Sequence, residues 1–282
     1  MKKSEKNEKF SVLMSIYYKE NPDFFDLSLK SIMIEQTVLP DEVVLIKDGP
    51  LSKELDDVVN KYQEKFPTIL KVYSLEKNMG LGYALQFGVD KCQYDLIARM
   101  DSDDISKSIR FEKQLKFMSE HKDISVLGGY IEEFEETLDE EFRLKKMPCT
   151  DEEILNYAKF RNPMNHVTVF FRKKDILEVG SYQPLDYLED HYLWSRLLVA
   201  GKKFANLPET LVYVRVGNGF NQRRGSKKYI LGWKKLQNYL YKNNITNYFQ
   251  KIRNIFGMYV MVYSPTCLRV FLYNNVLRTK KK

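Results

Sequence analysis

The sequence predicts an α/β fold, a mainly parallel sheet with helices on both faces. Three observations carry this expectation. Short apolar runs alternate with segments of helical spacing through the first hundred residues. The second run, EVVLIK, is rich in β-branched residues and ends in the turn-forming Asp48-Gly49-Pro50. An acidic cluster, Asp101-Ser102-Asp103-Asp104, directly follows the fourth run, and sheets of this kind bind ligands beyond the carboxyl ends of their strands.

The elements follow in order. Phe10–Ile16 is a buried strand, closed by polar residues and Pro22. Asp26–Gln36 places Leu27, Leu29, Ile32 and Met33 at largely helical spacing. Glu42–Lys47 is a second strand, ended by Asp48-Gly49-Pro50, and helical spacing returns over Ser52–Lys65. Leu70–Ser74 is a third strand. Asn78-Met79-Gly80-Leu81-Gly82 opens a helix through Val89, and Asp95–Met100 is the fourth strand. In the less regular second half, Ser125–Phe134 and Val167–Arg172 read as strands. Asp151–Lys159 reads as a helix with Thr150 as cap and Glu153 three residues on. Asp190–Ala200 is a further helix. From about Ser226 the chain has helical character: Ile252, Ile255, Phe256, Tyr259, Val260 and Tyr263 form one apolar stripe, and Leu268, Phe271, Leu272 and Val276 begin another beyond Pro265. No apolar run reaches the roughly 20 residues of a spanning helix.

Charge divides the chain. After Glu209 there is no Asp or Glu, whereas 15 Lys or Arg follow Thr210. The acidic body and the basic tail call for different partners, and an anionic membrane surface or a nucleic acid suits the tail. The tail also serves simply to neutralise the body in a blander reading. Cys92, Cys149 and Cys267 show no metal spacing and no disulfide framework, which favours a reducing cytoplasm. The N-terminal MKKSEKNEKF has no apolar run behind its charges and does not read as a secretory signal.

The chemistry centres on the acids. Asp101 and Asp103, two apart after an apolar strand, converge just beyond the sheet. Crowded carboxylates repel, and a hard divalent cation, Mg2+ or Mn2+, relieves that repulsion while keeping positions for water and phosphates. An isolated Asp-x-Asp also fits a solvated turn. Asp48 and Tyr17 end the second and first strands, and they suit equally a turn residue and a surface aromatic. Asn78 and Gly80 fit a helix start, and no GxGxxG dinucleotide fingerprint occurs. Glu189-Asp190 stands before an amphipathic helix, as a helix-start pair or with one carboxylate as a general base. His166 and His191 are candidate ligands or bases.

FSVLMSIYY, VVLIKDGP, NMGLGYALQFGV, IARMDSDD and LEDHYLW occur in this order. With them the chain resembles family 2 glycosyltransferases of the GT-A fold, most of all bacterial exopolysaccharide and capsule enzymes of the amylovoran-biosynthesis type. The likeness runs from about Phe10 to Val216. It implies a Rossmann-like catalytic domain over 1–225, with a nucleotide-sugar-binding half to about 115 and an acceptor-side half over 116–225, followed by a basic amphipathic helical tail over 226–282. It implies that Tyr17 stacks on the donor base, that Asp48 contacts the base, and that Asn78 and Gly80 lie beside the donor. Ser15 and Ser102 join these donor-binding residues. Asp101 then lies near the ribose or metal, Asp103 on the metal and diphosphate, and Asp190 is the catalytic base, with Glu189, His166 and His191 as acceptor-side or accessory groups.

Lys47-Asp48-Gly49-Pro50 departs from the family's Asp-Asp-Gly-Ser turn, and no Gln-x-x-Arg-Trp processivity signature follows Glu189-Asp190. The resemblance therefore implies an inverting enzyme that adds one sugar, UDP-linked in expectation, to a glycan or lipid-linked acceptor. It would work as a peripheral protein on the inner face of a bacterial cytoplasmic membrane. A nucleotidyltransferase also uses paired acids with magnesium, but no glycine-rich basic loop follows the first strand. A nucleic-acid-binding protein would use the basic tail but leaves the acidic cluster unexplained. A donor-binding protein without turnover is at odds with the retained Asp101, Asp103 and Asp190.

Overall fold

The computed structural model describes residues 8–135, 142–185, 187–216 and 227–264. The stripe from Leu268 to Val276 lies outside them. The strands are β1 (Phe10–Ile16), β2 (Glu42–Lys47), β3 (Leu70–Ser74), β4 (Leu96–Met100), β5 (Ile105–Ser106), β6 (Ile124–Phe134), β7 (Arg143–Lys145), β8 (Phe170–Arg172) and β9 (Lys203–Arg215). The helices are α1 (Pro22–Met33), α2 (Lys53–Lys65), α3 (Leu81–Lys91), α4 (Arg110–Glu120), α5 (Asp151–Ala158), α6 (Lys173–Glu178), α7 (Glu189–Val199), α8 (Lys227–Lys242) and α9 (Tyr248–Tyr263).

Among the described residues the strands form one sheet in the order β3-β2-β1-β4-β8-β6-β9-β5, with β7 paired to β6. The first four are parallel, so the carboxyl ends of β1, β2 and β4 lie along one edge. Register sets Ile16 opposite Lys47, and Met14 opposite Met100. The sheet then becomes mixed: β8 runs antiparallel to both β4 and β6, and β6 and β9 are parallel to each other.

Strand alternation divides the core. On β1, Phe10, Val12, Met14 and Ile16 face α1, α2 and α4, where Phe25, Leu29, Leu55, Val59 and Phe111 are buried. Leu13 of β1, with Val44 and Ile46 of β2, faces α3 and α7, against Ala84, Leu85, Leu193 and Trp194. A third cluster joins α8 to the segment before α7 through Leu185, Leu188, Trp233, Leu236 and Leu240.

Three expectations shift. Helix α1 begins at Pro22, earlier than the apolar spacing indicates, because Asn21 caps it by accepting from the amides of Asp23 (2.8 Å) and Phe24 (3.2 Å) and proline suits the first turn. The strand expected over Val167–Arg172 starts as a 3-10 turn, His166–Thr168, before β8. Here the Thr168 hydroxyl donates to the Asn165 carbonyl (2.8 Å), a local bond that competes with the ladder, and accepts from the Gly129 amide of β6 (3.1 Å). The sheet's second half contains β9, whose central Pro208 and register shifts hide it from period-two patterning. The Thr150–Glu153 capping box of α5 forms as the sequence indicates.

Helix α3 lies so close to the sheet that a Cβ at Gly88 would overlap Leu13 Cδ1 and crowd Ile46 Cγ1 at 3.1 Å. Gly88→Ala is expected to destabilise the protein by about 1–3 kcal/mol through overpacking. Denaturant titration checks this by a lower midpoint at unchanged slope.

Candidate active site

The sheet edge gathers the sequence-predicted residues. Tyr17 leaves β1 half in solvent and packs edge-on to Tyr18. The turn that follows returns through the Glu20 amide to the Tyr17 carbonyl (3.1 Å), and Glu20 then accepts from the Ser102 hydroxyl (2.9 Å). The exposed aromatic loop is thereby fastened to the acidic cluster. Ser15, one position before the end of β1, is half-buried beside Ile46.

Asp48 is buried at the end of β2 and works as a clamp. One carboxylate oxygen accepts from the Met79 amide (2.6 Å) and the other from the Gly80 amide (3.0 Å), while Asn78 Nδ2 donates to the Asp48 carbonyl (3.3 Å). Gly49, at φ +90°, lets the two loops meet, since a Cβ there would lie 2.7 Å from the Asn78 nitrogen. Asp48, Asn78 and Gly80 therefore form one unit. Farther along, a Cβ on Gly82 would lie 2.8 Å from Glu189 Cγ, so the start of α3 abuts the acidic pair of α7.

The acidic cluster is organised by a cation that the sequence reading passed over. Arg99 lies in β4, fully enclosed, and its guanidinium donates to both carboxylate oxygens of Asp101. Its carbonyl takes a bond from buried Arg110 (2.7 Å), and Ser28 holds the Asp101 carbonyl (2.7 Å). Asp101 is thus committed to Arg99. Asp103 is half-buried, and burial, followed by the charges of Asp101 and Glu20, pushes its carboxyl up to about 7. Asp104 is enclosed, accepts from the Arg215 amide (2.8 Å), and is raised well above the usual carboxylate range by burial and by Asp103.

Asp190 sits in the first turn of α7, half-buried. One oxygen accepts from the His191 amide (2.7 Å) and the other from Asn162 Nδ2 (2.5 Å). Burial raises its pKa, opposed by those two bonds and by the charges of Arg99 and Lys145. The charge of Arg99 also lowers Asp103, so the cluster and Asp190 share one electrostatic site. His166 is bonded to the Tyr182 hydroxyl (2.8 Å), and burial, then Arg99, holds it well below the ordinary histidine value, so it is neutral. His191 turns the other way, buried against Trp233 of α8 (ring centroids 5.8 Å), and burial lowers it to about 4.

Among the described residues no group of three or more His, Cys, Asp or Glu converges as a self-sufficient metal cage. Asp103, raised by burial and by the charges of Asp101 and Glu20 against the partial relief of Arg99, is the residue that could hold Mg2+ or Mn2+ completed by water and phosphate oxygens.

Sequence reasoning missed Arg99, Glu20, Asn162 and Tyr182. Arg99 left a signal, a charge inside an apolar strand. Asn162 lies in irregular chain before Pro163 and left none.

This sheet, with acids along its carboxyl edge, has the GT-A fold. It aligns with the Staphylococcus aureus TarS 1–349 structure in complex with UDP-GlcNAc at TM-score 0.66 and 18% identity, over 94% of this chain and 75% of that one. It also aligns with the Pyrobaculum calidifontis mannosyltransferase PcManGT in complex with GDP-Man and Mn2+ at TM-score 0.63 and 13% identity, over 90% of this chain and 70% of that one. The chain belongs to glycosyl transferase family 2, whose sequence profile matches residues 11–180. It is 39% identical over 275 residues to the Escherichia coli UDP-Gal:alpha-D-GlcNAc-diphosphoundecaprenol beta-1,3-galactosyltransferase, covering 98% of each chain. It is 42% identical over 217 residues to the amylovoran biosynthesis glycosyltransferase AmsE of Erwinia amylovora, covering 77% of this chain and 80% of that one. Membership of this family decides against the nucleotidyltransferase alternative.

Asn162→Ala removes a donor that stabilises the charged form of Asp190. The acid limb of the pH–rate profile for sugar transfer is expected to move to higher pH, with turnover at neutral pH falling on the order of tenfold. A uniform loss at every pH would assign Asn162 a purely structural role.

Proposed function

We propose that the chain is an inverting, metal-dependent glycosyltransferase. It moves one sugar from a UDP-linked donor to a hydroxyl of a lipid-linked glycan during bacterial cell-surface polysaccharide synthesis. The observation that carries this reading is that Asp103, raised by burial and by the charges of Asp101 and Glu20, and Asp190, raised by burial and held by Asn162, both feel the charge of Arg99. The near full-length similarity to a galactosyltransferase named for UDP-Gal and a diphosphoundecaprenol acceptor supports the choice of donor and acceptor classes.

In this reading Tyr17 stacks on the donor base, and the Asp48–Asn78–Gly80 unit borders the donor. Asp101, oriented by Arg99, faces the ribose, and Ser102 and Glu20 keep the loops together. Asp103 would hold a divalent cation, which when bound would supply Lewis-acid neutralisation of charge on the diphosphate. Asp190 takes the proton of the acceptor hydroxyl as that oxygen forms its bond to the anomeric carbon and the bond to the UDP oxygen breaks. Attack opposite the leaving group inverts the centre, and the proton leaves Asp190 to water afterwards. Neutral His166 and Tyr182 line the acceptor side, with Glu189 next to the base, whereas His191 supports the helix from behind. The enzyme works at the inner face of the cytoplasmic membrane, where its basic tail meets anionic lipid. Among the described residues no helix is long and apolar enough to cross a membrane.

A screen of UDP-sugars with Mn2+, reading released UDP and then transfer to a polyprenyl-diphosphate sugar, tests the reading. Asp190→Asn is expected to lower transfer by about 100-fold or more, with UDP binding retained, and near-normal turnover would overturn the base assignment. Asp103→Ala is expected to remove the metal-dependent part of UDP binding in calorimetric titration, and an unchanged titration would overturn the metal assignment.

A further inference from the structure

The described part of the tail, residues 227–264, contains two helices with different jobs. Helix α8 belongs to the core: Trp233, Leu236 and Leu240 are buried against Leu185 and Leu188, and Tyr239 packs edge-on to Tyr192 of α7 (5.3 Å). Helix α9 is held on its inner side. The Trp233 indole donates to the Asn254 carbonyl (3.0 Å), and Asn254 Nδ2 donates both to Gln237 Oε1 (2.9 Å) and to the Lys159 carbonyl (2.7 Å). Val262 and Met258 pack inward.

The outer side of α9 is different. Phe249 is 82% exposed, Ile252 45%, Phe256 68%, Val260 45% and Tyr263 66%. Their spacing of three, four, four and three residues places them on one stripe. An amphipathic helix normally buries such a stripe. This one already has a partner on its opposite side, so the apolar outer face is additional. Contiguous exposed apolar side chains on this scale mark an interaction surface.

Charge selects the occupant. Residues 227–264 contain seven Lys or Arg and no Asp or Glu. Arg253 is exposed beside the stripe, its guanidinium over Phe160 (4.5 Å), and Lys251 lies over the rings of Tyr241 (4.5 Å) and Tyr248 (5.5 Å). A second copy meeting this face would bring cations against cations. An anionic lipid surface presents opposite charge above an apolar layer, which is the environment a basic helix with an aromatic-rich outer face fits. At 16 residues, α9 is about 24 Å long and lies along such a surface rather than crossing it.

We infer that the Phe249–Ile252–Phe256–Val260–Tyr263 face of α9 docks flat on an anionic bilayer. The same helix, through Asn254 and Arg253, is tied to the 159–162 segment whose Asn162 holds Asp190. Docking therefore places the wall that carries the base next to the lipid. A lipid-linked acceptor, which rests on the preceding section, gives this placement its use; docking itself needs no acceptor.

The test compares the full chain with Phe249→Ser/Phe256→Ser in co-sedimentation. One set of vesicles contains phosphatidylglycerol and phosphatidylethanolamine, the other phosphatidylcholine alone. The wild type is expected to bind the anionic vesicles, less so at high salt. The double variant is expected to bind them on the order of tenfold more weakly, through loss of buried aromatic surface. Its circular dichroism and its transfer to a short water-soluble acceptor are expected to be unchanged. Equal binding of both proteins would overturn the inference. So would equal binding of both vesicle types, or a wild-type dimer in solution that the double variant abolishes. Absence of transfer by the wild type, with its binding to anionic vesicles intact and that of the double variant weakened, would count against the proposed function alone.

Discussion

Arg99 is the interaction on which the site depends. Four carboxylates, Glu20, Asp101, Asp103 and Asp104, gather at one end of the sheet. Such a group would repel itself apart or take up protons. The enclosed guanidinium engages Asp101 through both oxygens and lowers the neighbouring acids, and its planar fork also fixes which way Asp101 points. Arg110, buried behind it, holds the Arg99 carbonyl and so anchors the strand end. Relief is partial. Asp103 and Asp104 both stay raised, Asp104 enclosed against the Arg215 amide and Asp103 half-buried, whereas Asp101 is held by Arg99.

The same cation reaches across the site. It depresses His166, which stays a neutral partner of Tyr182, and it tempers Asp190. Asp190 is caught between burial, which favours its proton, and two donated hydrogen bonds, which favour its charge. The proposed general base needs this compromise: a fully solvated aspartate is too weak a proton acceptor, and an unsupported buried one would hold its proton permanently. The elements supplying the compromise come from separate regions of sequence, the 159–165 segment, β4 and the start of α7. The α8 helix backs the last of these through Trp233 and Tyr239.

Legibility in the sequence followed locality. Strands β1, β2 and β3 match the sequence residue for residue; β1 and β2, buried and parallel, are continuous in hydrophobicity and β2 is cut off by turn chemistry at Asp48-Gly49-Pro50, whereas β3 is the part-exposed edge strand. The capping box at Thr150 is also local, and it formed as read. Strand β9 escaped because Asn206, Pro208 and its irregular register break the alternation. The acids at 101–104 were visible because a strand delivers them together. Glu20 and Asn162 were not, since an acid in a loop and an amide before a proline are ordinary until tertiary structure sets them against Ser102 and Asp190. The stripe on α9 was visible as a pattern. Which of its members face outward, and that α8 belongs to the core, required the packing of the two helices.

The Asp48 clamp carries a consequence for assembly of the chain. Helix α3 has no side-chain cap from its own sequence, and its start at Gly80 adopts a φ of +87°. The amides before that helix are satisfied by a carboxylate about thirty residues earlier, at the far end of β2. Its beginning therefore has no stable local form: the turn at 78–80 acquires its hydrogen bonds only when β2 is already in place. The start of α3 thus belongs to the non-local contacts of the fold, and its hydrogen bonds wait on β2 rather than on the strands that follow it in the chain.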